Sequence, residues 1–318
     1  MFGIIRSNIC SEVFSVAEQE PINLFQFQKA FQTEEACHRH LYNMKWPEGF
    51  RCSKCQHAKA YEIKTRKLPL YECANCGHQT TVTAGTIFEK TRTDLVKWFW
   101  AIFLIAHDKR GVSATFLASE LRIAYQTAWT IQHKIRKVMG DRDSSYILSG
   151  IVELDDAFFG APTEGGKRGR GTEQTPVLVA LSLDKKGCPK YLKMQVIPDV
   201  KGTTLVDFAQ KYIEAGTIIS SDKYRSYQVL AKNGYQHEAK HFNLMENPDH
   251  LKWLHTVISN AKAFIGGTYH GLDSKHLQAY LNEFCYRFNR REFKNEVFNR
   301  LVQCCISSMT ITYHELVG

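Results

Sequence analysis

Gly150-Ile-Val-Glu-Leu-Asp-Asp-Ala-Phe-Phe-Gly160 is the stretch whose reading decides the fold. It runs apolar and β-branched up to two adjacent acids, Asp155 and Asp156, with Glu153 two residues before them. Such a run, bracketed by glycines, predicts a buried central strand over 151–159. Carboxylates are rarely buried unless paired or bound to a cation. A strand that carries an acid into a cleft therefore points to a site for a hard cation. The alternative is a strand that ends in a solvated Asp-Asp turn.

The surrounding composition narrows the partner. The chain has 318 residues, enough for two or three domains and a sizeable core. Lys and Arg total 41 against 32 for Asp and Glu, so the net charge is +9 and the pI is near 9.0. That balance favours a polyanion such as double-stranded DNA, although an ordinary basic protein has it too. The longest apolar run, Trp98 to Ala106, falls short of the roughly 20 residues that cross a bilayer. No signal peptide is read at the N-terminus, so the expected setting is a reducing cytoplasm without membrane attachment.

In that setting paired cysteines mean metal more often than disulfide. Cys52-Ser-Lys-Cys55 and Cys73-Ala-Asn-Cys76 have the spacing of a structural four-thiolate zinc site. The residues between them alternate like a β-hairpin, which completes a zinc ribbon over 46–90. His57 and His78 flank the pairs as substitute ligands, but four cysteines already fill a tetrahedral shell.

A helical segment, 1–45, precedes the ribbon, with Thr33 as a helix cap. Residues 91–145 predict an apolar helix, then a helix, a turn near Leu121-Arg-Ile123, and a second helix. A helix-turn-helix would lay Gln126, Lys134 and other polar residues of its second helix in a major groove. A plain helical hairpin has the same pattern. Gly140 to Ser145 reads as a polar linker. From 146 to 318 strands and helices mix. Gly165-Gly-Lys-Arg-Gly-Arg-Gly171 lacks the P-loop spacing. It reads as a surface loop, or as one that sets Lys167, Arg168 and Arg170 against a phosphate backbone.

A second apolar strand, from Gly216, ends at Asp222. A later helix carries His255 and Lys262 seven residues apart, on one face. Near the C-terminus, Tyr286-Arg-Phe-Asn-Arg-Arg291 sets cations beside aromatics, and Arg287 and Arg290 are read as supports of the helix packing or as contacts to the DNA backbone.

These blocks resemble the DDE-type insertion-sequence transposases with an N-terminal zinc ribbon, in the ISXO-like group. Trp46 to Cys55 is similar to the entry of that family's ribbon, and Val152-Glu-Leu-Asp-Asp156 to its first catalytic strand. Ser221 to Tyr227 is similar to the second strand, and His255 to Lys262 with Phe284 to Arg291 to the third block.

The resemblance implies an α+β multidomain chain with a ribonuclease-H-like catalytic domain. It implies Asp155 and Asp222 as the first two acids. His255 stands where the usual third acid is Glu; Asn260 is its rival, and Glu283 a more distant one. Two magnesium or manganese ions about 4 Å apart would serve phosphodiester chemistry. Asp155 would bridge them, and Asp222 and His255 would hold one each. Lys262 would place a positive charge near a DNA phosphate. Glu153 and Asp156 are read as neighbours of the site. Imidazole suits softer ions than Mg²⁺, which leaves the metal preference open.

The implied activity is binding of terminal inverted repeats, metal-dependent cleavage and strand transfer. A homodimer or larger assembly on DNA, in a prokaryotic, nucleoid-associated setting, goes with it. Two alternatives are a zinc-ribbon, helix-turn-helix regulator with an inactive nuclease-like domain, and a nuclease that cuts without joining.

Overall fold

A computed structural model describes residues 22–65, 68–161, 169–240 and 249–317. Two short helices open it, α1 (Leu24–Ala30) and α2 (Glu34–Lys45). Asn23 and Gln26 form a capping box on α1, and Thr33 accepts the Ala36 amide at 3.2 Å to start α2. Strands β1 (Ala60–Ile63), β2 (Leu70–Cys73) and β3 (Gln79–Thr80) form the antiparallel sheet of the ribbon.

Helices α3 (Leu95–His107), α4 (Ala114–Leu121) and α5 (Tyr125–Ser144) follow. Both oxygens of Glu34 on α2 accept the first amides of α3, Leu95 and Val96, at 3.1 and 2.9 Å. These amides have no partner within their own helix, so the bonds fix α3 against α2. The linker expected at Gly140 to Ser145 is instead the last turns of α5. Asp143 is buried there and pairs with Arg290, which draws a polar sequence into the helix.

The second half opens with β4 (Ile151–Phe159), then β5 (Thr175–Leu183) and β6 (Pro189–Val196), then α6 (Gly202–Tyr212) and β7 (Ile218–Ser221). A short helix α7 (Val229–Lys232), β8 (Gln236–Ala239), α8 (Lys252–Thr268), α9 (Leu277–Asn289), α10 (Val297–Ser307) and α11 (Tyr313–Val317) complete the chain. The sheet order is β6-β5-β4-β7-β8. Strands β4, β7 and β8 run parallel, and β5 and β6 antiparallel to their neighbours. This is a ribonuclease-H-like sheet with β4 at its centre.

Each face of the sheet has its own core. Val152 and Leu154 of β4 pack with Leu205, Phe208 and Tyr212 of α6. Ala157 and Phe159 pack on the other face with Leu254, Val257 and Leu281 of α8 and α9. A third, larger core joins the ribbon to the helices. It holds Cys52, Tyr71 and Cys73 together with Phe27, Phe99, Ile135 and Phe298. Helix α10 belongs to this core, so the chain returns from the sheet to the helical half.

Candidate metal and DNA-processing site

Alternation along β4 decides which acids share a face. Glu153 and Asp155 lie on the α8 side with Ala157 and Phe159, and Asp156 lies on the α6 side. The parallel register between β4 and β7 ends at Leu154 opposite Ser221. One residue further along each chain stand Asp155, still in β4, and Asp222, just past the end of β7. The register therefore leads to the first two predicted acids at adjacent strand ends, although the ligand atoms of Asp155, Asp222 and His255 do not all lie within 4.8 Å of one another.

Helix α8 supplies the third residue. Glu153 Oε2 accepts the Leu254 amide at 3.0 Å, a buried bond that caps the first turn. Leu251, just before α8, is buried with φ +54°, a left-handed backbone that an L side chain rarely takes. One residue after Leu254, His255 Nε2 lies 3.3 Å from Asp155 Oδ2. The bond to Asp155 raises the His255 pKa, against the opposing effect of its partial burial. Burial also raises the Glu153 pKa, although the Leu254 amide and His255 oppose it.

Asp156 is held separately. Its carboxylate is 2% exposed and accepts Tyr227 Oη at 2.9 Å and Arg170 Nε at 3.2 Å. Burial raises its pKa against the pull of Arg170. Arg170 also reaches Asp222 Oδ2 at 3.0 Å. Arg170, read from the sequence as a loop contact to DNA, thus sits between two acids. Lys167 and Arg168 lie outside the described residues.

Behind the acids, Ser221 Oγ is 2.8 Å from His237 Nε2, and the Ser221 carbonyl is 3.1 Å from His250 Nε2. Sequence reasoning missed Tyr227 and both histidines. Tyr227 lay in the quoted second block, but only the fold shows it beneath Asp156.

Lys262 is exposed two turns beyond His255, with Nζ 5.7 Å from the Phe159 ring centroid. Asn260 is exposed on the same helix. Glu283 is excluded as a ligand. It is 1% exposed and bound to Arg136 at 2.8 Å and to Arg287 at 3.3 Å, inside the α5–α9 contact.

Several expected DNA contacts are structural. Arg290 is buried, pairs with Asp143 at 2.8 Å and stacks on Tyr286. Arg287 bonds Glu283 and the Asp108 carbonyl. Lys134 Nζ donates to the Ile87 carbonyl at 3.2 Å, and Gln126 donates to Tyr313 Oη at 2.8 Å. Gln132 and Arg136 of the supposed reading helix are buried. The exposed residues of α5 are Tyr125 and Gln126 in its first turn and Asp141, Arg142 and Ser144 near its end.

Cys52, Cys55, Cys73 and Cys76 place their sulfurs within 4.8 Å of one another. Two of the edges are 3.7 and 3.5 Å. A tetrahedron with Zn–S of about 2.3 Å has edges of about 3.8 Å, so the four fit zinc. Among the described residues this is the one group of three or more His, Cys, Asp or Glu ligand atoms so close together.

A family model described as the ISXO2-like transposase domain matches residues 147–289, and one described as the transposase zinc-ribbon domain matches residues 32–79. The chain belongs to the zinc-ribbon DDE transposases of insertion sequences. It is 24% identical over 216 residues to an uncharacterised protein in transposable element ISH50 of Halobacterium salinarum, covering 64% of this chain and 71% of that protein. It is 27% identical over 106 residues to an uncharacterised transposase-like protein of Haemophilus influenzae, covering 32% of this chain and 84% of that one. Two structures of the Mos1 transposase paired-end complex, one with the left transposon end and one with Mn, match at TM-scores of 0.22 and 0.25. Their identities are 11% and 12%; the matches cover 63% and 70% of this chain and 76% and 90% of those, and at these scores they carry no argument. Among the described residues no helix is long and apolar enough to cross a membrane.

Proposed function

We propose that this transposase binds the terminal inverted repeats of its element and carries out divalent-metal-dependent cleavage and strand transfer at Asp155, Asp222 and His255. The observation that supports the reading is the register that leads β4 to Asp155 and β7 to Asp222, with His255 Nε2 3.3 Å from Asp155. The donor set suits a divalent ion, and the guanidinium against Asp222 marks the spot as one that takes positive charge. Imidazole beside two carboxylates favours Mn²⁺ over Mg²⁺. Asp155, Asp222 and His255 would hold such ions, whose chemistry there would be activation of a hydroxyl nucleophile and stabilisation of the leaving oxygen.

The chain's own residues do the rest. Glu153 holds α8 so that His255 faces Asp155. Tyr227 and Arg170 hold the buried Asp156 by hydrogen bonds. Lys262 offers a fixed positive charge to a DNA phosphate. We assign 46–90 to the ribbon and 91–145 to the helix-turn-helix-like segment that reads the ends, with Tyr125 and Gln126 of the first turn of α5 exposed. The element's two ends must meet, so the expected assembly is a homodimer or larger on double-stranded DNA. The His255–Asp155 ion pair favours one second reading, a DNA-binding regulator with an inactive nuclease-like domain.

The test is end cleavage and joining on a plasmid that carries the DNA flanking the gene, with Mg²⁺ and with Mn²⁺. Joined products, stronger with Mn²⁺ and lost in Asp155→Asn and Asp222→Asn, are expected. His255→Glu should move the preference toward Mg²⁺. Tight end binding without products under either metal would support the regulator.

A further inference from the structure

The backbone around Arg170 aims its side chain inward. Gly169 and Gly171 have φ +76° and +90°, so the chain bends on both sides of it. Its guanidinium carbon lies 3.7 Å from the centroid of the Tyr224 ring. Its Nε and Nη2 both donate to Asp156, whose side chain is 2% exposed and is also held by Tyr227. The same Nη2 also donates to Asp222, whose side chain is 29% exposed. The grip is therefore uneven. Asp156 is buried and takes bonds from both Nε and Nη2, whereas Asp222 is partly open to solvent and takes one from Nη2.

Glu153, Asp155, Asp156 and Asp222 all converge on this end of the sheet. Partly buried carboxylates need compensating charge. His255 stands on Asp155, and Arg170 stands on Asp156 and Asp222.

We propose that Arg170 is a positioning residue, the resident counter-cation of Asp222, and that a divalent ion must displace the Nη2–Asp222 bond while Asp156 keeps Nε and Nη2 in place. A doubly charged ion competes for the same oxygen as a singly charged fork. Held on Asp156 and stacked on Tyr224, the guanidinium stays in place, and the N–H of Nη2 released from Asp222 becomes a donor for a DNA phosphate. This inference rests on the reading of Asp155 and Asp222 as ion ligands.

The test is Mn²⁺ binding by calorimetry, on the full-length zinc-loaded protein without DNA. Asp222→Asn defines the heat that belongs to this site. Arg170→Ala and Arg170→Gln should tighten the Asp222-dependent binding about tenfold, the scale of one charge-assisted hydrogen bond. Lys223→Ala removes an exposed charge next to Asp222 and should change it far less, because exposed charge is screened. Unchanged or weaker binding in both Arg170 variants overturns the displacement, and so does equal tightening in Lys223→Ala. If neither the parent protein nor the Arg170 variants show Asp222-dependent binding, the ion site itself is refuted and the displacement falls with it.

Discussion

Glu153 accepts the Leu254 amide at 3.0 Å, and that bond ties the strand of the first acid to the helix of the histidine. Glu34 does the same for α3, so this chain twice starts a helix with a carboxylate from another element. Loss of the acceptor leaves a buried amide unpaired, which costs about 1–3 kcal/mol. Glu153→Ala should lower stability by that amount and reduce strand transfer with either metal, because α8 no longer holds His255 to Asp155. Glu153→Gln keeps an acceptor and should recover most of both. Denaturation and joining assays on the pair decide it, since a metal-ligand role would make Gln as inactive as Ala.

His133 makes the α5–α9 contact sensitive to acid. It is 3% exposed, stacks on Trp129 and lies near Arg136 and His276. Burial, then Arg136 and His276, push its pKa down to about 3. The unfolded imidazole protonates near pH 6.5, and the folded one only near 3. Between those values the unfolded state binds one more proton, so stability falls as pH drops from about 6.5. His133→Phe keeps a ring on Trp129 and should flatten this acid limb by about 1.4 kcal/mol per pH unit. Chemical denaturation at pH 7, 6 and 5 measures the slopes, and parallel slopes would refute the assignment.

The parts of the site legible in the sequence were those carried by local pattern. The apolar run over 151–159 is β4 residue for residue, because its side chains face a core on both sides of the sheet. The strand that ends at Asp222 and the helix that carries His255 were readable for the same reason. What could not be read depended on partners far along the chain. Arg136 looks like a DNA contact on a helical wheel, yet it is buried against Glu283, 147 residues away. Arg170 sits in a glycine-rich loop, and nothing local says that it folds back between Asp156 and Asp222.

Zinc removal should disturb more than the ribbon. Cys52 and Cys73 belong to the same core as Phe27, Phe99 and Phe298, so the metal site is an edge of the helical half. Structural zinc contributes about 10 kcal/mol or more of apparent binding free energy in small ribbons and fingers. Metal analysis should find one zinc per chain. Chelation, or Cys73→Ser, should release it and lower the melting temperature of the whole chain. Folded, zinc-free protein with unchanged melting would sink the assignment.

Arg290 offers the sharpest test between a core role and a DNA role. Its guanidinium pairs with Asp143 at 2.8 Å, and both side chains are under a tenth exposed. Asn289 adds a bond to the same carboxylate at 2.9 Å. Removing one partner of a buried pair leaves an uncompensated charge and costs about 3–5 kcal/mol. Arg290→Met should therefore destabilise the protein by about 3 kcal/mol or more. Because Asp143 is then the buried unpaired charge, adding Asp143→Leu should restore part of that loss. The salt dependence of end binding by the folded fraction should stay unchanged, because a side chain locked in the core releases no counterion from DNA. A shallower salt slope with little loss of stability would return Arg290 to the DNA surface.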